Sequence, residues 1–587
     1  MEEITCEERI VMTPTKKGQG HTRIRMDRQK QVDLDSSNVV HVAGGDHRGI
    51  VINKQTETVS LTDDPPHLSL EFKVFLTNAV NNDQTKERRK LLFWFKEHIS
   101  EKEKMHNAQD FFKELISPFE FPRDYVGFIK KIMKLMQNRY VDIKRIEVDM
   151  KQLDCSKIEL PIHADMMNDL SAPLKVQLTK VKVLEMIESA YPNSLSVEDM
   201  SNTFQCSEEE LIDILNALIS TGLIKNMGKG FYSRVTQNDT EVKLVRQMPT
   251  VVNAKQPTIA IITAQYCEKL AVDAMIENKD TYVRYKTEGD SNVYTLGNIG
   301  MHRVVSTKLP AVGHSRSAMI SAGNTMTRLL GIFQRVEYIF LVGVGGGVPH
   351  YTDYSKHVRL GDIVVSVPAK DLLKKYIYLY CEKTWNSVEN ASNNPLTSTK
   401  NFNIKTWNPP HMHLQTVAQN LWEQYIGGND GFCPWKVYSE EGLKDLKNQE
   451  ADFDRPAEES DKLFMCIGGK DVIEVGHPSP PENSFDPRQA GLPVVHFGAI
   501  GSGRHLMRDD SLRLEFANQN GLLAYDKEFD SVIESIHGNR KDNYVFIRGI
   551  ADYKDGTEQK DWQPYASLIA ASFMKAVICS LEPYDKE

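Results

Sequence analysis

The chain has 587 residues and a net charge of −9, with 40% hydrophobic and 26% charged residues, the balance of an ordinary globular protein. That length allows three or four domains of roughly 150 residues, and the acidic balance gives nucleic acid no bulk electrostatic hold. No apolar run reaches the roughly 18 residues that span a bilayer, and the opening MEEITCEERI is too acidic and polar for a secretory signal. Residues 1–65 are polar. Within them, Asn38 to Leu61 alternates apolar and polar residues around Gly44, Gly45 and Gly49, which predicts short strands or a hairpin.

Residues 66–150 read as an all-α bundle. LSLEFKVFLTNAV, RRKLLFWFKEHI, AQDFFKELI and DYVGFIKKIMKLM each carry apolar residues at helical spacing. In the last, Phe128, Ile129, Ile132, Leu135 and Met136 share a face. The pattern resembles a death-fold domain of the death-effector type, which implies docking to a like domain in a signalling assembly.

Residues 172–236 predict three helices and a hairpin. The first helix, Leu174 to Ala190, places Leu178, Val181, Leu184 and Ile187 on one face. Ser196 with Asp199, and Ser207 with Glu210, have capping-box spacing at the starts of the second and third. LIKNMGKGFYSRV then gives two strands around Gly228-Lys229-Gly230. This order resembles a winged helix. The third helix opens on Glu208, Glu209 and Glu210, where a DNA reader needs basic or amide side chains, so the expected role is protein contact or domain spacing.

From Pro257 onwards, Ile- and Val-rich strands alternate with helical segments, interrupted by an Asn-, Pro- and charge-rich insertion at about 387–488 that predicts surface loops. YIFLVGVGGG (Tyr338 to Gly347) is a short unbroken apolar run ending in glycines, the pattern of a strand buried on both faces. Glycines at such a strand end make either a tight turn with no ligand or room for close approach of a ligand, in the place where α/β folds put small-molecule sites. Carboxylates adjoin other strand ends: Glu268 after PTIAIITAQYC, Glu528 after GLLAYDK, and Asp552 after NYVFIRGIA.

At these residues the chain resembles the purine nucleoside phosphorylase and nucleosidase superfamily, in its methylthioadenosine/adenosylhomocysteine nucleosidase-like branch. The matching pieces are IITAQYCEKLAV, NVYTLGNIGMHRVV, VGVGGGVP, LGDIVVS, GAIGSG and RGIADY, in order. The resemblance implies a multidomain protein whose residues 257–583 form a twisted central sheet flanked by helices, with a site at the strand ends that cleaves the bond between ribose and purine. It implies Asp552 as the acid at purine N7, which requires burial to hold its proton near neutral pH. Glu268 would position the attacking water and Glu528 the ribose hydroxyls, although Lys527, Phe529 and Asp530 depart from the family's pattern around Glu528. Gly345, Gly346 and Gly347 would wall the ribose and purine pocket, Arg316 and Arg504 would contact a phosphorylated 5′ side, and Ser315 and Phe497 are further expected substrate-binding residues. Phosphorylases of the superfamily carry Gly and Arg after the first strand. Here Thr263 to Glu268 carries neither, so water is the expected nucleophile.

The domain grammar resembles immune effectors in which nucleosidase-like domains are fused to signalling modules and some degrade ATP. The resulting expectation is a regulated nucleosidase that converts ATP to adenine and ribose 5-triphosphate. The alternatives are a methylthioadenosine/adenosylhomocysteine nucleosidase, a phosphate-dependent phosphorylase, or an inactive nucleoside-binding scaffold. Expected partners are a purine nucleotide, further copies of the chain through the nucleosidase domain, and proteins through the N-terminal modules; nucleic acid and membrane are not expected. His411 and His413 lack a third ligand, and the reaction needs no metal or cofactor. Eight scattered cysteines without a CxxC pair suit free thiols in the cytoplasm.

Overall fold

The computed structural model describes residues 8–18, 20–30, 39–42, 50–53, 65–77, 84–117, 121–122, 124–153, 178–235, 242–245, 248, 256–284, 291–310, 316–351, 353–369, 376–386, 400–428, 433–466, 471–478, 480, 486–527, 529–554, 556 and 559–583. They fall in two compact units. The first gathers 1–168, 350–355 and 462–481, and the second holds the rest.

In the first unit, β1 (Glu8–Gly18) and β2 (His21–Lys30) form a hairpin, with β3 (Val39–Val42) and β4 (Ile50–Asn53) added at β1. β5 (Leu68–Thr77) and β6 (Gln84–Phe95) pair antiparallel. Helices α1 (Glu101–Leu115) and α2 (Tyr125–Asn138) follow, and β7 (Ile143–Leu153) pairs with both β6 and β2. The all-α, death-fold-like reading of residues 66–150 is corrected: two of the four segments are strands. Leu68, Leu70, Phe72, Val74 and Leu76 recur every second residue, as do the buried Leu91, Phe93 and Phe95. That is the period of a sheet face, not of a helix. The other two segments lie in helices. In α2, Phe128, Ile129, Ile132 and Met136 are buried as expected, with Met133 in the place expected of Leu135. A hairpin from the insertion, Leu463–Cys466 and Val472–Val475, completes this sheet. Its second strand pairs with β5, where Glu474 meets Lys73 at 2.5 Å.

The second unit begins with the winged helix. It comprises α3 (Lys180–Ala190), β8 (Leu195–Ser196), α4 (Val197–Phe204), α5 (Glu208–Ser220), β9 (Ile224–Gly228) and β10 (Phe231–Arg234). Both serine caps form: Asp199 N donates to Ser196 Oγ at 3.0 Å, and Glu210 N to Ser207 Oγ at 3.3 Å. The wing turns at Gly228, Lys229 and Gly230, all with positive φ. The buried face of α3 is Val183, Leu184 and Ile187; Val181, expected in the core, is 62% exposed.

The remaining chain builds one large mixed sheet. Its first elements are β11 (Lys243–Val245), β12 (Ile259–Thr263), α6 (Tyr266–Ala274), β13 (Glu277–Arg284), β14 (Asn292–Ile299), β15 (His302–Lys308), α7 (Arg316–Ile332), β16 (Tyr338–Gly347) and β17 (Ile363–Ser366). Then come β18 (Tyr378–Asn386), β19 (Lys400–Trp407), α8 (His413–Gly427) and α9 (Pro434–Leu446), with β20 and β21 being the hairpin strands of the first sheet. The last are β22 (Val495–Ser502), α10 (Asp510–Asn520), β23 (Leu522–Tyr525), α11 (Asp530–Gly538), β24 (Asn543–Asp552) and α12 (Trp562–Cys579). The strand order is β11-β13-β14-β15-β12-β16-β24-β17-β22-β18-β19, and β23 pairs with β16 and β22. The central strands β12, β16 and β24 run parallel, so their C-terminal ends meet on one side. Every residue of β12 is buried, and α12 is buried nearly all round, the mark of a helix inside a core.

The loop-rich reading of 387–488 is also corrected. Polar composition conceals two amphipathic helices, α8 burying Leu414, Ala418 and Leu421 and α9 burying Trp435 and Leu446. Helix α9 packs on α6 and α12, and a Cβ at Gly442 would overlap the Met275 side chain. Asp362 of LGDIVVS ties β17 to β22. It accepts from Arg488, from His496 Nε2 at 3.0 Å and from Val494 N at 3.1 Å.

Candidate active site

Glu268 lies in the first turn of α6 and is 1% exposed. Its Oε2 accepts from the backbone N–H of Ala264 (2.7 Å) and Gln265 (2.8 Å), and its Oε1 from Val344 N–H (2.8 Å). The carboxylate therefore bridges the end of β12 to β16. Gly343 makes this possible, because a Cβ there would overlap the carboxylate itself. Burial pushes the Glu268 carboxyl above its ordinary pKa, against the opposing pull of the Arg548 charge and the three N–H groups.

Arg548, which opens RGIADY, is the principal residue that the sequence reading did not assign. It is 0% exposed, and its Nη2 lies 3.0 Å from Asp526 Oδ1, also 0% exposed. Its guanidinium sits 4.2 Å over the Phe529 ring, and among the described residues none of its side-chain nitrogens makes a hydrogen bond of good geometry. Asp526 is further held by Tyr378, whose hydroxyl donates to Oδ2 at 2.9 Å. The signal available in the sequence was an arginine inside the apolar run YVFIRGIA, since buried charge requires a partner and a reason.

Asp552 ends β24 and is 2% exposed. Its Oδ1 accepts from Lys554 N–H (2.8 Å) and Gly556 N–H (2.7 Å), so the carboxylate also shapes the turn that follows. In the ladder with β16 it stands opposite Gly346, just past a register shift at Gly345. Glu268 reaches Val344 on that same strand, so the two carboxylates address neighbouring stretches of one glycine-rich backbone. The glycines divide the space. Gly343 admits Glu268, and a Cβ on Gly345 would lie 2.9 Å from Tyr525 O. A Cβ on Gly556, at φ +86°, would lie 2.8 Å from the Gly345 Cα.

The other expected residues are placed differently. Glu528 and Ser315 lie outside the described residues, as does the side chain of Arg316, whose backbone opens α7. Arg504 is exposed just beyond β22, whose Gly501 carbonyl accepts from Asp526 N–H at 2.9 Å. Phe497 packs half-buried against the core from β22, and Gly347 is buried at the end of β16. A cavity of about 660 Å³ opens beside the start of α6, lined by Gln265, Cys267, Glu188, Asp452 and Gln563 among others, and a smaller one of about 160 Å³ adjoins Tyr266 and Lys269. Neither is lined by Glu268 or Asp552.

A protein-family profile described as a winged helix-turn-helix domain matches residues 169–236. Over 326 residues the chain is 26% identical to a nucleotide-binding leucine-rich repeat (NLR)-like protein of Hyaloscypha variabilis. That match covers 56% of this chain and 29% of the relative, so the chain spans under a third of its length. Among solved structures, a 5′-methylthioadenosine/S-adenosylhomocysteine nucleosidase of Neisseria meningitidis is similar at 13% identity, with a TM-score of 0.32, over 55% of this chain and 100% of its own. The futalosine hydrolase of Helicobacter pylori is similar at 13% identity, with a TM-score of 0.31, over 56% of this chain and 100% of its own. Among the described residues, no helix is long and apolar enough to cross a membrane.

Proposed function

We propose that residues 257–583 hydrolyse the N-glycosidic bond of a purine nucleotide, with ATP the substrate and adenine and ribose 5-triphosphate the products. The observation that carries the reading is the buried pair of Glu268 and Arg548 beside the glycine strand, with Asp552 at the next strand end. Water attacks ribose C1′ and gives a proton to Glu268, whose burial raises its affinity for protons. The C1′–N9 bond breaks and its electron pair passes to the purine, whose N7 takes a proton from Asp552. Arg548 lends positive charge beside Glu268 and helps to orient the water, in a site dry enough for that charge to act strongly. The exposed Arg504 beyond β22 is a cation available to a 5′-phosphate chain.

The winged helix and the NLR-like relative support a regulated effector, in which activity answers a signal received by the other domains. The test is to incubate the protein with ATP, AMP, adenosine, methylthioadenosine and inosine, with and without phosphate, and to follow free base by chromatography. Adenine from ATP without phosphate is the expected result. Base released only with phosphate overturns hydrolysis, release from methylthioadenosine but not ATP overturns the substrate, and an Asp552→Asn variant as active as wild type overturns the mechanism.

A further inference from the structure

The winged helix is fastened to the turn that sets Glu268. Lys308, the last residue of β15, is 0% exposed. Its Nζ donates to Ser189 O (2.8 Å) and Tyr191 O (3.2 Å) at the C-terminal end of α3, and to Leu309 O (2.8 Å). An ammonium has three donors, and all three are committed to backbone carbonyls, two of them at a helix end that favours a cation. Across the ladder Lys308 stands opposite Thr263, and Leu309 N–H donates to Thr263 O at 2.8 Å. The next two residues, Ala264 and Gln265, supply the N–H groups that hold the Glu268 carboxylate.

A second grip is aromatic. The Tyr191 ring meets Tyr266, the first residue of α6, edge to face at 5.5 Å and 77°. Arg234, from the wing, lies 5.1 Å over the same Tyr266 ring while donating to Glu188 at 2.8 Å and to Glu450 at 3.2 Å. A third bond runs from Ser291 N–H to Asn193 Oδ1 at 2.9 Å.

We propose that the winged helix is a positioning element for the nucleosidase site, holding the Thr263–Glu268 turn through Lys308, Tyr191 and Arg234. None of these residues touches substrate; they act through the backbone that orients Glu268. The kinetic consequence rests on the proposed hydrolysis, whereas the structural one does not. A winged helix is thus used here as a clamp on its own chain, which fits the exposed acidic first turn of α5, unsuited to DNA.

The experiment compares wild type with Tyr191→Ala, Tyr191→Phe, Arg234→Gln and Lys308→Met, each in the full chain. Hydrogen exchange is followed at the amides of residues 264–268 and, separately, of 180–234. Tyr191→Ala and Arg234→Gln are expected to speed exchange at 264–268 by about tenfold or more, while Tyr191→Phe, which keeps the ring, leaves it unchanged. In the activity assay the same two variants lower kcat by about tenfold to 100-fold with KM kept within about twofold, because a displaced Glu268 weakens the transition state more than binding. Exchange that rises only within 180–234, with 264–268 and kcat untouched, overturns the proposal. Should Lys308→Met fail to fold, the Tyr191 and Arg234 variants decide. Should wild type release no base from any nucleotide, the hydrolase reading fails and the exchange at 264–268 still decides the clamp.

Discussion

Gly343 shows how little of a site's logic a single residue reveals in isolation. In the sequence it is one glycine of a run; in the fold it is the place where a carboxylate enters a sheet. Gly343→Ala is expected to displace Glu268, destabilise the protein by about 1–3 kcal/mol and abolish base release, as read by thermal melting and the chromatographic assay. Arg548 gives a second prediction. Arg548→Met leaves Asp526 buried without its cation, which costs about 3–5 kcal/mol, whereas the double variant Arg548→Met/Asp526→Asn recovers part of that loss in a denaturation experiment without recovering activity.

Asp530, two residues beyond the undescribed Glu528, supplies a pH signature. Burial and the neighbouring Asp526 raise its carboxyl to about 6. A carboxyl whose folded pKa exceeds its unfolded one holds its proton better in the folded state. Its stabilising contribution is therefore complete at acid pH and lost as pH rises through about 6. Asp530→Asn should melt higher than wild type at pH 7.5, with the difference vanishing below about pH 4; an equal gain at both pH values would refute this account.

At the scale of elements, the winged helix was the most legible part of the chain. Its serine caps, its glycine-bounded wing and its order follow from local chemistry: a side-chain oxygen accepting an N–H, and residues tolerant of positive φ. Ser207→Ala is expected to weaken α5 by about 1 kcal/mol, seen as faster exchange of its first-turn amides. The elements misread were those whose apolar residues satisfy two periods at once. LSLEFKVFLT has apolar residues at every second position and also, by virtue of the adjacent Val74, Phe75 and Leu76, at helical spacing. Pairing decided between them, because β6 and the hairpin at Val472–Val475 satisfy both edges of that segment's backbone.

At the scale of the whole molecule, the chain leaves its second unit at Asp461 to add a hairpin to the first, then returns. The hairpin covers β5, which would otherwise present an open edge of N–H and C=O groups to other chains. Replacing Lys462 to Gly476 with a short Gly/Ser linker is expected to make the protein aggregate on warming, measured by light scattering, while the large sheet of the second unit keeps its folded signature.

The sequence by itself determined the buried strands of the large sheet, the serine caps, and the place of Glu268 and Asp552 at strand ends, because each rests on chemistry within a few residues. Only the tertiary structure decided that Glu268 spans two strands through Gly343, that Arg548 and Asp526 meet beside it, and that α3 ends on Lys308. Those arrangements join residues separated by up to some hundreds of positions, and their energies come from burial and pairing that exist only once the sheet has assembled.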